Sequence, residues 1–365
     1  MINNSDIYFE AVSIKGNIGY ASAYNKNGLY KINLLTGECE YIKSFDEKFT
    51  SGRLHSSVVR IKNKLFFIPG SGDKISIYDT DTDCIESIQI PRATRENYTF
   101  YNTWYKFRDA IQFGNSLWLI PSSYPGILRL DLSSLEISVY NDWIPEDGFF
   151  FRARPTLDGN SIIVPSGNNN NILVFDLKVQ RAKVFKLGFS NRGMIHMMKS
   201  GADYIFVPRL PGAVLLWNPS SGAVKEYDSF PDSFVSEPIV FSHAFELNGS
   251  VFLVPGKPDI GLVLENETLK EDKKNIWKSQ AGSVIEYLFE SKTEYYYREI
   301  FSKNHSRFFK KKKGTGEESE YRFYIVNENE ERRAMIGYAQ QKGEVLYENN
   351  NTNLENLLML IKDKK

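Results

Sequence analysis

Leu65-Phe66-Phe67-Ile68-Pro69-Gly70, with Asp79 ten residues beyond the proline, is one copy of a phrase that runs along most of the chain. It returns as Ile120-Pro121-Ser122 with Asp131, Val164-Pro165-Ser166 with Asp176, Val207-Pro208-Arg209 with Asn218, and Val254-Pro255-Gly256 with Glu265. Asn33, ten residues after Ala23, opens the series in a copy that lacks the proline. Around the quoted stretch the sequence reads as four strands. His55 to Ile61 is the first, and Lys62-Asn63-Lys64 turns it into the short apolar strand Leu65 to Pro69. Ile75 to Asp79 alternates as a third, and Thr80-Asp81-Thr82-Asp83 turns the chain into a fourth, Cys84 to Ile90. Apolar alternation bounded by Gly, Asn, Asp and Ser clusters is the strand signal. A proline closing a strand gives up an N–H where little is lost.

The same unit overlays residues 7–45, 54–91, 107–143, 150–187, 193–230 and 238–278. Four-stranded units repeating at a period of roughly 40–50 residues describe blades around a channel. The expected fold is therefore all-β: a seven-bladed propeller over 1–340, with six regular blades and one irregular blade at 283–338, followed by a tail at 341–365. In the irregular unit, strands are expected at Val284 to Phe289, Glu294 to Arg298, Tyr321 to Asn327 and Arg332 to Tyr338. Residues 302–319 are set aside as an insertion, a Lys- and Glu-rich hairpin about Gly314-Thr315-Gly316. A membrane or polyanion patch is the alternative reading of its lysines. Asn353 to Lys364 reads as a short helix capped by Asn353, with Leu354, Leu357, Leu358 and Ile361 on one face. It suits docking on the propeller or on a protein partner.

Composition narrows the function. Lys plus Arg equals Asp plus Glu at 45 each, so no net charge draws a phosphate backbone and nucleic acid is not expected. No apolar run approaches the length of a membrane span, and the polar stretch Met1 to Asp6 does not begin a signal peptide. Two cysteines make no disulfide framework. The expectation is a cytoplasmic protein.

The organisation resembles kelch-like bacterial β-propellers over about residues 7–340. The resemblance rests on the Ile/Val-Pro-x phrase, the Asp or Asn ten residues on, and the strand order. The paired glycines of true kelch repeats and the Trp-Asp dipeptide of WD-type repeats are absent. It implies a fold and leaves function open, since propellers host binding modules, lyases, hydrolases and scaffolds.

Loops on a rigid scaffold are where function concentrates. When the repeats are aligned on their proline, the residue twelve places upstream, near the start of the channel strand, is Ser57, Asp109, Ala153, His196 or His243. Glu10 joins them if the first copy is aligned on its Gly-Asn turn. Two of four histidines thus share one repeat position, and His55 begins the matching strand of the second unit. His196 and His243 are candidate catalytic groups for acid–base work. A metal shared with Asp109 or Glu10 is the weaker alternative, because no His-x-x-x-His or Cys-x-x-Cys spacing supports it. Polar lining of a wet channel is the plain one. Arg108, Arg152, Arg154 and Arg209 bring guanidinium forks suited to carboxylate or phosphate, and Arg154 suits an internal ion pair equally. The loop from Arg92 to Lys106 is rich in aromatics, Trp104 among them, and Tyr124 stands in a neighbouring loop.

The leading expectation is a propeller that binds a small-molecule or glycan ligand, anionic or carbohydrate-like, at the channel mouth. Arg108, Asp109, Arg152, Arg209, Tyr124, His55 and Trp104 are its candidate contacts. A carbohydrate-active lyase or hydrolase using His196 or His243 is the alternative, and an interaction scaffold using the tail helix is the third. No cofactor is expected. Asp79 to Asp83 lacks the Gly and Glu of a calcium loop, Gly70-Ser71-Gly72 lacks the Lys-Ser/Thr of a phosphate loop, and no Gly-x-Ser-x-Gly elbow occurs.

Overall fold

The computed structural model describes residues 7–47, 53–92, 105–144, 150–167, 171–187, 193–235, 239–247, 249–258, 260–273, 277, 282–302 and 305–334. Its strands form seven sheets, each with four consecutive antiparallel strands, and the first sheet gains a fifth strand from near the end of the described chain. The first strands of blades 1 to 7 are Phe9–Lys15, His55–Ile61, Phe107–Phe113, Thr156–Asp158, Met194–Ser200, Phe241–Leu247 and Val284–Glu290. They stand side by side around a central channel, and the strand of blade 7 meets that of blade 1 to close the ring. The protein is a seven-bladed β-propeller.

The apolar second strands follow from this arrangement. In Lys64–Pro69, Leu65 and Phe67 pack with Leu29 and Phe45 of blade 1, whereas Phe66 and Ile68 pack with Leu117 and Leu119 of blade 3. A strand covered on both faces has no polar face to alternate with. Each of the seven interfaces between blades has its own apolar cluster. Truncating one fully buried side chain there, such as Phe67→Ala, costs about 3–5 kcal/mol. In four repeats the polar residue caps a turn. Oδ1 of Asp79, Asp131, Asp176 and Asn218 each accepts two backbone N–H groups just ahead of it.

Blade 7 corrects the sequence reading. Residues 302–319 are not an insertion: His305–Lys312 and Glu318–Glu320 are the third and fourth strands of that blade, after Val284–Glu290 and Glu294–Ser302. The hairpin about Gly314 is real, and its lysines are all paired: Lys310 with Glu294, Lys311 with Glu318, Lys312 with Glu317 and Lys313 with Glu290. The missing proline and an outer pair of strands rich in Lys and Glu hide this blade's repeat.

Tyr324 and Ile325, expected inside blade 7, cross instead to blade 1 and pair in parallel with Glu38 and Cys39. The Asn327 amide continues that ladder as a peptide would, accepting from Tyr41 N at 2.8 Å and donating to Tyr41 O at 2.9 Å. Residues 328–334 then form a short helix where a strand was expected. Its buried Glu331 accepts from Tyr30 Oη at 2.6 Å and Lys26 Nζ at 2.9 Å. The tail helix read over 353–364 lies outside the described residues. Among the described residues, no helix is long and apolar enough to cross a membrane.

Candidate functional site

The repeat proline shapes the channel as well as the blade. Pro69, Pro121, Pro208 and Pro255 pair with the first strand at His55, Phe107, Met194 and Phe241, and the register slips by one residue just beyond each pair. Blade 1 slips in the same place, between Phe9 and Ala11, with Ala23 in the position of the proline. A bulge places one unpaired residue on the first strand and re-aims its side chain. The bulged residues are Glu10, Ser56, Arg108, Ile195 and Ser242, and all five line one mouth of the channel. Glu10 is therefore the counterpart of Ser56 and Arg108. Ala11 is the counterpart of Ser57, Asp109, His196 and His243.

The mouth is a cavity of about 580 Å³. Arg53, Arg108, Arg152, Arg154 and Arg209 line it, against the two carboxylates Glu10 and Glu286. Both carboxylates are engaged: Arg53 bonds Glu10 and lies 3.8 Å from Glu286, which Arg298 holds at 2.5 Å. Burial raises the pKa of Glu10, which Arg53 opposes and Glu286 reinforces. The Arg53 guanidinium sits between the rings of Tyr24 and Tyr105, at 5.0 and 4.9 Å. Arg154 is 3.6 Å from Asp109, which also accepts from Ser57 Oγ. Among the described residues no carboxylate is in ion-pair contact with Arg108, Arg152 or Arg209, although the charge of Arg108 is felt by Glu10. Burial, and then the charges of Arg209, Arg108 and Arg53, pull Arg152 down to about 10. Arg108 donates to Tyr105 Oη, and its Nε is buried without a partner.

Below the mouth the channel narrows to a waist and opens into a second cavity of about 830 Å³. Glu10, Arg154, His196, His243 and Tyr287 border both cavities. The rings of His196 and His243 are 4.0 Å apart, and His243 lies flat on Tyr287 at 3.8 Å with planes 2° apart. Burial, with Arg154 and Arg108 nearby, lowers His196 to about 3. Burial, with His196 itself as the next cause, lowers His243 well below its ordinary value. Both rings are half-buried and face the channel, so water moderates that effect without reversing it. Among the described residues, no three His, Cys, Asp or Glu side chains converge as a metal site would require.

Of the residues singled out in the sequence, His196, His243, Arg108, Arg152 and Arg209 meet at the mouth, and Asp109 lies on the far side of the waist. His55 and Tyr124 do not join them. His55 precedes its bulge, so its side chain turns into the core, with Nδ1 2.9 Å from Ser22 Oγ and the ring between Phe45 and Phe67. Tyr124 stacks on Phe107 and donates to Pro91 O. Trp104 lies outside the described residues. Sequence reasoning passed over Arg53, Tyr105 and Ile239 as a set. All three precede a repeat proline by sixteen residues, a signal the alignment carried.

No protein-family model and no curated protein matches the chain. Solved structures do resemble it. A streptogramin B lyase superposes with a TM-score of 0.58 at 12% identity, covering 81% of this chain and 91% of that one. Virginiamycin B lyase from Staphylococcus aureus, in a catalytically inactive histidine-to-alanine form with quinupristin, gives 0.58 at 13% over 82% and 94%. BamB from Moraxella catarrhalis gives 0.55 at 10% over 79% and 80%. At such identities the likeness carries the propeller fold, and neither a kelch-like assignment nor an activity.

Proposed function

We propose that this propeller binds a small anion, bearing carboxylate or phosphate, in the channel mouth through Arg108, Arg152 and Arg209. The observation that carries this reading is the set of three guanidiniums lining one cavity with no carboxylate in ion-pair contact; burial first, and the neighbouring arginines next, lower the proton affinity of Arg152. Like charges gathered in a cavity repel one another, and a bound anion turns that repulsion into charge-assisted hydrogen bonds. Titration calorimetry with a phosphate monoester, a dicarboxylate, a uronate and a neutral hexose tests it. Anions should bind and the hexose should not, with affinity falling as salt rises. Arg152→Met or Arg209→Met should each cost about tenfold or more in affinity. Hexose binding without anion binding, or arginine variants with unchanged affinity, would overturn it.

A second reading, proton transfer to or from the bound anion, is favoured by the neutral His196–His243 pair at the floor of the same mouth. In that case His243→Ala keeps binding and loses turnover. Their depressed basicity makes them weak acceptors, which places this reading second.

A further inference from the structure

The arginines share the mouth with an apolar wall. Ile195, the bulged residue of blade 5, Ile239 at the lead into blade 6, and Val284 at the start of blade 7 line the same cavity as the arginines. Ile239 holds a backbone φ of +69°, a conformation that a β-branched residue adopts only under constraint. The constraint is visible. Ile239 O accepts from Lys257 N at 2.9 Å and presses on Gly256, where an added Cβ would lie 2.2 Å away.

The same clamp holds Arg53, at φ +71°. Its carbonyl accepts from Ser71 N at 2.9 Å and stands 2.4 Å from where a Cβ on Gly70 would be. Glycine or asparagine would take this backbone with little or no strain. At two equivalent rim positions the chain instead keeps a side chain that reaches the cavity, one a guanidinium and one a sec-butyl group. Strain retained in this way gathers at ligand clamps.

Building on the anion reading, we infer that the ligand is an amphiphilic organic anion. Its charge lies on Arg108, Arg152 and Arg209, and its apolar body lies on Ile195, Ile239 and Val284. Water held against these three side chains is released when an apolar body covers them, which favours binding. A neutral sugar laid on the same wall would leave hydroxyls without partners.

The test compares phenyl phosphate with inorganic phosphate, and 3-phenylpropionate with acetate, by titration calorimetry on the full chain. The aryl anion of each pair should bind about tenfold tighter or more. Ile239→Asn and Ile239→Gly suit the left-handed backbone, so their melting temperatures should equal or exceed that of the wild type. Both should erase most of the advantage of the aryl anions. Equal affinities within each pair, or an advantage that survives both variants, would overturn the inference and leave the anion reading standing. Failure of all four anions to bind would overturn both.

Discussion

Replacing Arg152 by methionine should make the unliganded protein more stable while weakening its hold on anions. The guanidinium lies over Phe150 at 4.9 Å, and burial with three neighbouring arginines pulls its pKa down to about 10. Free arginine lies above 12, and each tenfold change in proton affinity is worth about 1.4 kcal/mol, so holding this charge costs on the order of 3 kcal/mol. A cation whose folded pKa is depressed carries that penalty at every pH below the folded value. At neutral pH it is present in full, and it fades only above about pH 10. Methionine keeps the Cβ and Cγ atoms that pack at Gly167 and loses a cation–π contact worth about 0.5–1 kcal/mol. With solvent screening, the net gain is about 1–2 kcal/mol, or a melting temperature higher by about 2–4 °C. Differential scanning calorimetry at low salt measures it directly. In about 0.5 M NaCl the part of the gap due to the neighbouring arginines should shrink, because salt screens charge repulsion and leaves the cost of burial. A variant that melts below the wild type at low salt would refute the idea that these charges repel.

The histidine pair predicts a pH dependence. The unfolded chain takes up protons on His196 and His243 near pH 6.5 while the folded chain does not, so stability falls as pH drops below that value, for His196 down to about pH 3. A His196→Gln/His243→Gln double variant should lose less stability than the wild type by about 2 kcal/mol between roughly pH 7 and pH 5; parallel melting curves would exclude held-neutral rings. Glu331→Gln leaves Lys26 without its counter-charge at the seam of the ring, and should cost about 1–3 kcal/mol in a urea titration. Gly256→Ala drives a Cβ against Ile239 O, so it should destabilise by more than about 2 kcal/mol and disturb ligand binding together with stability.

The repeat made the blades legible because a proline at the end of the second strand is local chemistry: it ends a ladder and marks where the bulge follows. The inner faces were harder to read because side chains alternate at a period of two, and one bulged residue exchanges channel for core. His55 and Ser57 flank such a bulge at Ser56, which is why His55 packs beside Phe45 while Ser57 reaches Asp109. His196 and His243 were found because they follow theirs. Glu10 was grouped one place too far along: the Gly16-Asn17 turn and Ala23 both set it level with Ser56 and Arg108, and Ala11 holds the place of the two histidines. Blade 7 hid its outer strands behind lysines and glutamates whose pairing across strands leaves no apolar rhythm. The apolar wall had no signature either, since Ile195, Ile239 and Val284 differ from core residues only in what they face.

The parallel pairing of Tyr324 and Ile325 on blade 1 sets a timetable for synthesis. Tyr41 and Asn327 are 286 residues apart, and at about 5–20 residues per second the ribosome needs roughly 15–60 s to bring the second to the first. Through that interval the outer edge of the nascent first blade, Glu38–Lys43, has no neighbour and is open to any passing strand. Glu38, Glu40 and Lys43 put charges along it, which discourages such intruders until the chain's own segment arrives. The residues that finish the ring therefore also end its most vulnerable period.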